Sequence, residues 1–244
     1  MNILFACDLD NTLLYSYKKR QDGFICVELN KGREQGFMSK HTFDNFADMT
    51  EKVMFVPVTT RSVEQYQRIK FPCGYVPEYA LVSNGATLIH NGKIDENWNL
   101  VEKNISQLEE IFDIYHKDER FINCRIVDNA YVFVYCAPDT NAEKVTEELT
   151  KSVDLNIELS GRKIYFFPKN LSKGNAVKEL QKILSCAEIL SAGDSSIDAS
   201  MLNIASISLV PENFDTSLLT HKRIIKAESD KLFSDFIVNF IRNL

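Results

Sequence analysis

The chain has 244 residues, of which 45% are hydrophobic and 25% charged, and a net charge of −6. That balance describes a globular chain of one large domain or two modest ones. The acidic excess argues against a general nucleic-acid or anionic-membrane binder, because those partners need a basic field, but it leaves room for a small phosphorylated ligand in a locally positive pocket.

Ile3 to Cys7 is a continuous apolar run, the mark of a strand covered on both faces. It stops on Asp8 and Asp10. Alternation along an extended chain aims both carboxylates the same way. Two carboxylates at a strand end cost repulsion and desolvation unless a cation or a proton lies between them. The stretch also reads as turn chemistry, since Asp-Asn closes strands. Phe24 to Leu29, with Asn30-Lys-Gly32 as the turn, predicts a small hairpin beside the aspartates. Residues His41 to Lys52 predict one helix. Val53 to Val58 predicts a second buried strand that ends in Thr59-Thr60-Arg61. Ser62 and Gln65 form a capping box, so a helix starts there. Tyr79 to Val82 predicts a third strand, ending in Ser83-Asn84-Gly85.

The pattern then changes. Thr87 to Ile94 predicts a hairpin about Asn91-Gly92, and Val101 to Lys117 a helix. Phe121 to Val127 and Tyr131 to Cys136 are strands joined at Asp128-Asn129. Thr140 with Glu143 reads as a capping box that opens a helix to Ser152. Leu155 to Leu159 and Lys163 to Phe167 predict a second hairpin about Gly161. Helix-strand-strand thus occurs twice, and tight turns make those strands antiparallel. The expectation is a separate small α+β domain. After Pro168 the alternation of strand and helix returns. Ser172 caps a helix from Lys173 to Leu184. Strand Ala187 to Ala192 runs into Gly193-Asp194-Ser-Ser-Ile-Asp198. Strand Ile204 to Val210, a short strand at Ile224-Ile225 and a helix from Asp230 to Ile241 close the chain.

The six cysteines form no CxxC pair, so neither a zinc ribbon nor a redox motif is expected. The apolar run before Asp8 is too short for a signal peptide, and no stretch approaches the roughly 20 apolar residues of a membrane span. The expected location is the cytoplasm.

In a doubly wound sheet, ligands bind beyond the carboxyl ends of the strands. Asp8/Asp10, Thr59/Thr60, Lys173 and Asp194/Asp198 all fall at strand ends or a helix start. Asp8, Asp10 and Asp194 can offer oxygens to Mg2+. Thr59, the amide of Thr60 and Lys173 can donate to phosphate oxygens.

Asp8-Leu-Asp10-Asn-Thr12, Thr59-Thr-Arg61, Lys173-Gly174 and Gly193-Asp194-Ser-Ser-Ile-Asp198 resemble motifs I to IV of the haloacid dehalogenase superfamily, in order and spacing. The insert resembles a type IIB cap, and the nearest resemblance is to Cof-type and sucrose-phosphatase-like sugar phosphatases. Three positions depart from the common pattern: Asn11 and Thr60 stand where many relatives carry Gly, and Ile197 where many carry Asn. The resemblance implies a Rossmann-like doubly wound parallel sheet, residues 1–86 and 166–244, with an inserted α+β cap domain, residues 87–165. It implies a Mg2+-dependent phosphatase with Asp8 as nucleophile and Asp10 as general acid and base. Thr59 and Lys173 would hold the phosphoryl group. Asp8, the Asp10 carbonyl and Asp194 would bind the metal, with Asp198 behind them or through water. Thr60, Arg61, Asn84, Arg162 and Lys163 are the candidates for substrate contact. The expected partner is a small phosphorylated molecule, the expected state a monomer or weak homodimer. A sugar phosphomutase or a silent phosphometabolite-binding domain are the alternative functions.

Overall fold

The computed structural model describes residues 3–100, 104–186, 188–220 and 223–244. The first three residues of the helix predicted from Val101, and Ala187 at the start of a predicted strand, lie outside the described residues. β1 (Ile3–Cys7) leads into a three-stranded flap of β2 (Tyr15–Ser16), β3 (Ile25–Asn30) and β4 (Arg33–Met38). Then come α1 (Lys40–Asp44), α2 (Phe46–Lys52), β5 (Met54–Pro57), α3 (Val63–Gln67), β6 (Tyr79–Val82), β7 (Thr87–His90) and β8 (Lys93–Ile94). The middle of the chain holds α4 (Ile105–Tyr115), β9 (Phe121–Val127), β10 (Tyr131–Cys136), α5 (Ala142–Ser152), β11 (Asn156–Ser160) and β12 (Lys163–Phe167). Last are α6 (Lys173–Leu184), β13 (Glu188–Ala192), α7 (Ala199–Leu202), β14 (Ile207–Val210), β15 (Ile224–Lys226) and α8 (Phe233–Arg242).

Five strands form a parallel sheet in the order β15-β14-β13-β1-β5. β6 extends it through a parallel bridge between Val58 and Leu81. The apolar run of β1 follows from its place between β13 and β5. Phe5 and Cys7 pack on one side with Phe46, Met49 and Ile237. Leu4 and Ala6 pack on the other with Val177, Leu180 and Met201. Helices thus cover both faces, and burying each large apolar side chain contributes roughly 1.5–3 kcal/mol.

Two local expectations are corrected. The helix predicted over His41–Lys52 is two helices, broken at Asn45 (φ −105°, ψ 9°). The Asn45 side-chain amide donates to the His41 carbonyl at 2.8 Å, alongside the Asn45 backbone amide at 3.1 Å, and so holds Asn45 as the C-cap of α1. The cap of α5 is Asn141, whose side chain accepts from the Lys144 amide, while the Thr140 hydroxyl turns to the Arg120 carbonyl. The capping box at Ser62 and Gln65 is formed.

The hairpin β7–β8, grouped by sequence with the insert, pairs antiparallel with β6 and buries Leu88 and Ile89 in the clusters around the parallel sheet. α4 to α5 and the strands between and after them build an antiparallel sheet in the order β11-β12-β10-β9. Val132, Val134, Ile164 and Phe166 face α4 and α5. The other face meets the parallel-sheet body. There Val127 and Phe167 pack with Leu171 and Ile197. The Tyr131 hydroxyl donates to the Thr60 carbonyl. Asp128, in the β9–β10 turn, accepts from the Val63 amide at 2.8 Å and from the Ser83 hydroxyl. Among the described residues, no helix is long and apolar enough to cross a membrane.

Candidate active site

Asp8 follows directly on β1, and its amide still donates to Ala192 of β13 at 2.9 Å, so the sheet fixes its position. The chain then turns at Asn11 in the left-handed region (φ 61°), which suits Asn as well as Gly. The turn returns the Thr12 hydroxyl to Asp8 Oδ2 at 3.3 Å. Lys173 is the first residue of α6, placed by the Ser172 cap. Its Nζ bridges Asp8 Oδ1 and Asp198 Oδ1, both at 2.6 Å. Asp198 Oδ2 accepts from the amides of Asp194 and Ser195 and from the Ser195 hydroxyl. Four donors converge on Asp198, three of them on Oδ2, which makes it the organiser of this loop. Gly193 permits the arrangement: a Cβ there would lie 2.4 Å from the Asp198 Cβ.

Burial pushes the Asp8 carboxyl well above the usual carboxylate range, against the pull of Lys173, and the neighbouring acids add to it. Burial and then Asp198 push Asp194 up to about 7. Lys173 pays for its burial but is raised nonetheless, because Asp198 and Asp8 hold its charge. Oxygens of Asp8, Asp194 and Asp198 lie within 4.8 Å of one another. An all-oxygen set whose acids repel each other fits a hard divalent cation.

Asp10 stands at the mouth, its side chain 46% exposed. Arg61 grips it with both nitrogens of a fork, Nε to Oδ2 at 2.9 Å and Nη2 to Oδ1 at 2.8 Å. Partial burial raises the Asp10 carboxyl, but Arg61 outweighs it and holds the group below the usual range. The third Arg61 nitrogen binds Glu28 at 2.8 Å, and Arg68 binds the other Glu28 oxygen at 3.1 Å. Glu28 comes from the flap strand β3 and is 1% exposed. Gly36 on β4 leaves it room, since a Cβ there would meet Glu28 Oε2 at 2.7 Å.

The structure therefore brings together Asp8, Asp10, Lys173, Asp194, Asp198 and Arg61. Thr59 is fully buried beside them, its hydroxyl accepting from the Arg61 amide. A cavity of about 370 Å3 opens beside Asp10. Thr60, Arg61 and Arg68 form its lower wall, the flap adds Ser16 and Glu28, and the inserted sheet closes it with Arg125, Tyr131, Phe133, Lys163 and Tyr165. Two candidates do not line this cavity, although the Asn84 backbone amide donates to the Thr59 carbonyl at 2.9 Å. Arg162 lies over the Tyr135 ring and bonds its hydroxyl at 2.7 Å. Asn84 lines a separate cavity of about 220 Å3 with Glu158, and its buried Oδ1 has no partner.

Glu28, Arg68 and the aromatic wall escaped the sequence reading. Tyr131-Val-Phe133-Val-Tyr135 carries an aromatic at every second position, a signal for one aromatic face, while Tyr165-Phe-Phe167 is aromatic throughout. Glu28 gave a weaker sign. It is an acid inside an apolar strand, and the β3–β4 register shifts on both sides of it.

Residues 78–231 match the family model of haloacid dehalogenase-like hydrolases. A phosphoglycolate phosphatase of Sulfurisphaera tokodaii is 28% identical over 171 residues, 66% of this chain and 67% of that relative. A haloacid dehalogenase-like hydrolase from B. subtilis shares the fold with a TM-score of 0.68 at 17% identity, covering 100% of both chains. The sucrose-phosphatase from Synechocystis sp., solved with sucrose and phosphate, gives 0.67 at 17% identity over 100% of this chain and 98% of that one. With most of its length matched by the family model and its fold shared from end to end, the chain belongs to the haloacid dehalogenase-like hydrolases.

Proposed function

We propose that the protein is a Mg2+-dependent phosphatase of a small phosphorylated metabolite of sugar size, acting through an aspartyl-phosphate. The observation that carries this reading is the buried Lys173 bridge between Asp8 and Asp198, next to Asp194 and at the carboxyl end of β1. The names of the relatives agree with it: one is a phosphoglycolate phosphatase and another a sucrose-phosphatase. Residues 104–165 would serve as the cap over the core, with β7–β8 remaining in the core.

Asp8, Asp194 and the Asp10 carbonyl would hold Mg2+, with Asp198 behind them. The ion would neutralise charge on the phosphoryl oxygens. Thr59, the Thr60 amide and Lys173 orient the same group. An Asp8 oxygen attacks phosphorus, the bond to the ester oxygen breaks, and that oxygen takes a proton from Asp10. Asp10 then takes a proton from water as the water oxygen attacks phosphorus. The Asp8–phosphorus bond breaks, and phosphate leaves. With Arg61 forked onto it, Asp10 is held as the base. Carrying a proton into the first step requires Arg61 to move off as the leaving group enters. Phosphate release from p-nitrophenyl phosphate and a panel of sugar phosphates, with Mg2+ and then with chelator, tests the reading. Mg2+-dependent release is expected, and no release from any of them overturns it.

A further inference from the structure

The cap sheet turns an uneven face to the cavity. Phe133 pairs with Arg125 on one side and with Tyr165 on the other, while Tyr135 pairs with Lys163. Alternation puts all five on the face opposite α4 and α5. The centre of this face is aromatic and closed to solvent: Tyr131, Phe133 and Tyr165 are 2%, 8% and 5% exposed. Two exposed cations flank it. Arg125 and Lys163 stand on strands two apart and are offset by two residues in register, which puts their backbones roughly 12 Å apart.

The carboxylates that line the cavity are Asp10 and Glu28, and Arg61 and Arg68 match them. Arg125 and Lys163 line the same cavity, yet among the described residues neither forms an ion pair with a carboxylate. Arg125 rests over the Phe133 ring, 5.3 Å from its centre. Glu158 lies in the other cavity, with Asn84. The leaving-group side of the site thus holds two cations in excess of its acids. A neutral sugar would leave both of them to water. An anion between them would gain charge-assisted hydrogen bonds, which are about twice as strong as neutral ones.

We infer that the alcohol released here is itself an anion: the substrate is a phosphate monoester whose carbon skeleton carries a carboxylate or a second phosphate, held between Arg125 and Lys163. The inference rests on the phosphatase reading for its reaction, and on the cavity alone for its binding.

Two matched pairs test it. 6-Phosphogluconate and glucitol 6-phosphate, both open-chain, differ by a carboxylate in place of a CH2OH group. Fructose 1,6-bisphosphate and fructose 6-phosphate differ by a second phosphate. The anionic member of at least one pair is expected to show a kcat/KM at least tenfold above its partner at low salt, and the pair that does so distinguishes carboxylate from phosphate. The ratio should shrink in Arg125→Gln and in Lys163→Gln, and approach one when both are changed. Ratios near one in the native protein, with p-nitrophenyl phosphate still hydrolysed, overturn the inference and leave the phosphatase reading standing. If nothing is hydrolysed, the phosphatase reading falls, and calorimetric binding of the four sugars decides the inference. Tenfold tighter binding of an anionic member upholds it, and equal binding ends it.

Discussion

Lys173 is 2% exposed and stays charged because two carboxylates share it. Its neighbours therefore respond differently to substitution. Lys173→Met leaves Asp8 and Asp198 buried without a cation, and should cost about 3–5 kcal/mol in a urea titration. Asp8→Asn leaves Lys173 paired with Asp198, so the fold should hold while phosphate release falls to background. Appreciable residual turnover would remove Asp8 from the nucleophile's role. The same cluster sets a pH dependence. Asp194 is raised to about 7 in the folded chain, above its unfolded value, so the folded state binds the extra proton. Without metal, this group makes stability fall as pH rises from about 4 towards 7. Because Mg2+ needs the ionised form, the rise in melting temperature on adding Mg2+ should be larger at pH 8 than at pH 5. An equal rise at both would count against Asp194 as a ligand. Asp8, Lys173 and Asp194 were legible in the sequence because Asp8 and Asp194 sit where a strand has just ended and Lys173 where a helix begins. Glu28 was not, because its counter-ions come from the residue that caps the end of α3 and from the loop after β5, more than 30 residues away.

Among the elements, those whose signals are local were the ones read correctly. The Ser62 and Gln65 box, the Ser172 cap and the strands of the inserted sheet depend on near neighbours in the chain. The break at Asn45 depends on one side chain preferring a backbone carbonyl, which apolar periodicity does not register. The placement of β7–β8 was decided by pairing with β6, and a hairpin's own sequence does not name its third strand. Close approach between elements was equally invisible. Gly193→Ala would drive a methyl group into Asp198. Overpacking of this kind costs about 1–3 kcal/mol. Thermal melting should show that loss, and turnover should fall with it, since Asp198 orients both Lys173 and the Asp194 loop. A variant with native melting and native rate would refute the contact.

On the scale of the whole molecule, two sheets with different rules meet at one cavity. The parallel sheet supplies the acids from its strand ends, the helix α6 packed on it supplies the lysine from its first turn, and the antiparallel sheet supplies a wall read along alternate residues. The alternation of strand and helix was legible enough to separate these two bodies. What they do to each other was not, because contacts such as Tyr131 to Thr60 join residues far apart in sequence. Asp128→Ala removes an acceptor shared by the Val63 amide and the Ser83 hydroxyl. It should weaken closure and raise KM more than it lowers kcat, as steady-state kinetics on any turned-over substrate will report.

That shared acceptor has another consequence. The first amide of α3 finds its partner on the other body, because the Ser62 cap serves Gln65 instead. Whenever the two bodies part, the Val63 amide proton is released to solvent while the rest of α3 keeps its own bonds. Deuterium uptake at that one position is therefore a clock for opening, readable without substrate. Ligands that keep the lid shut should slow it.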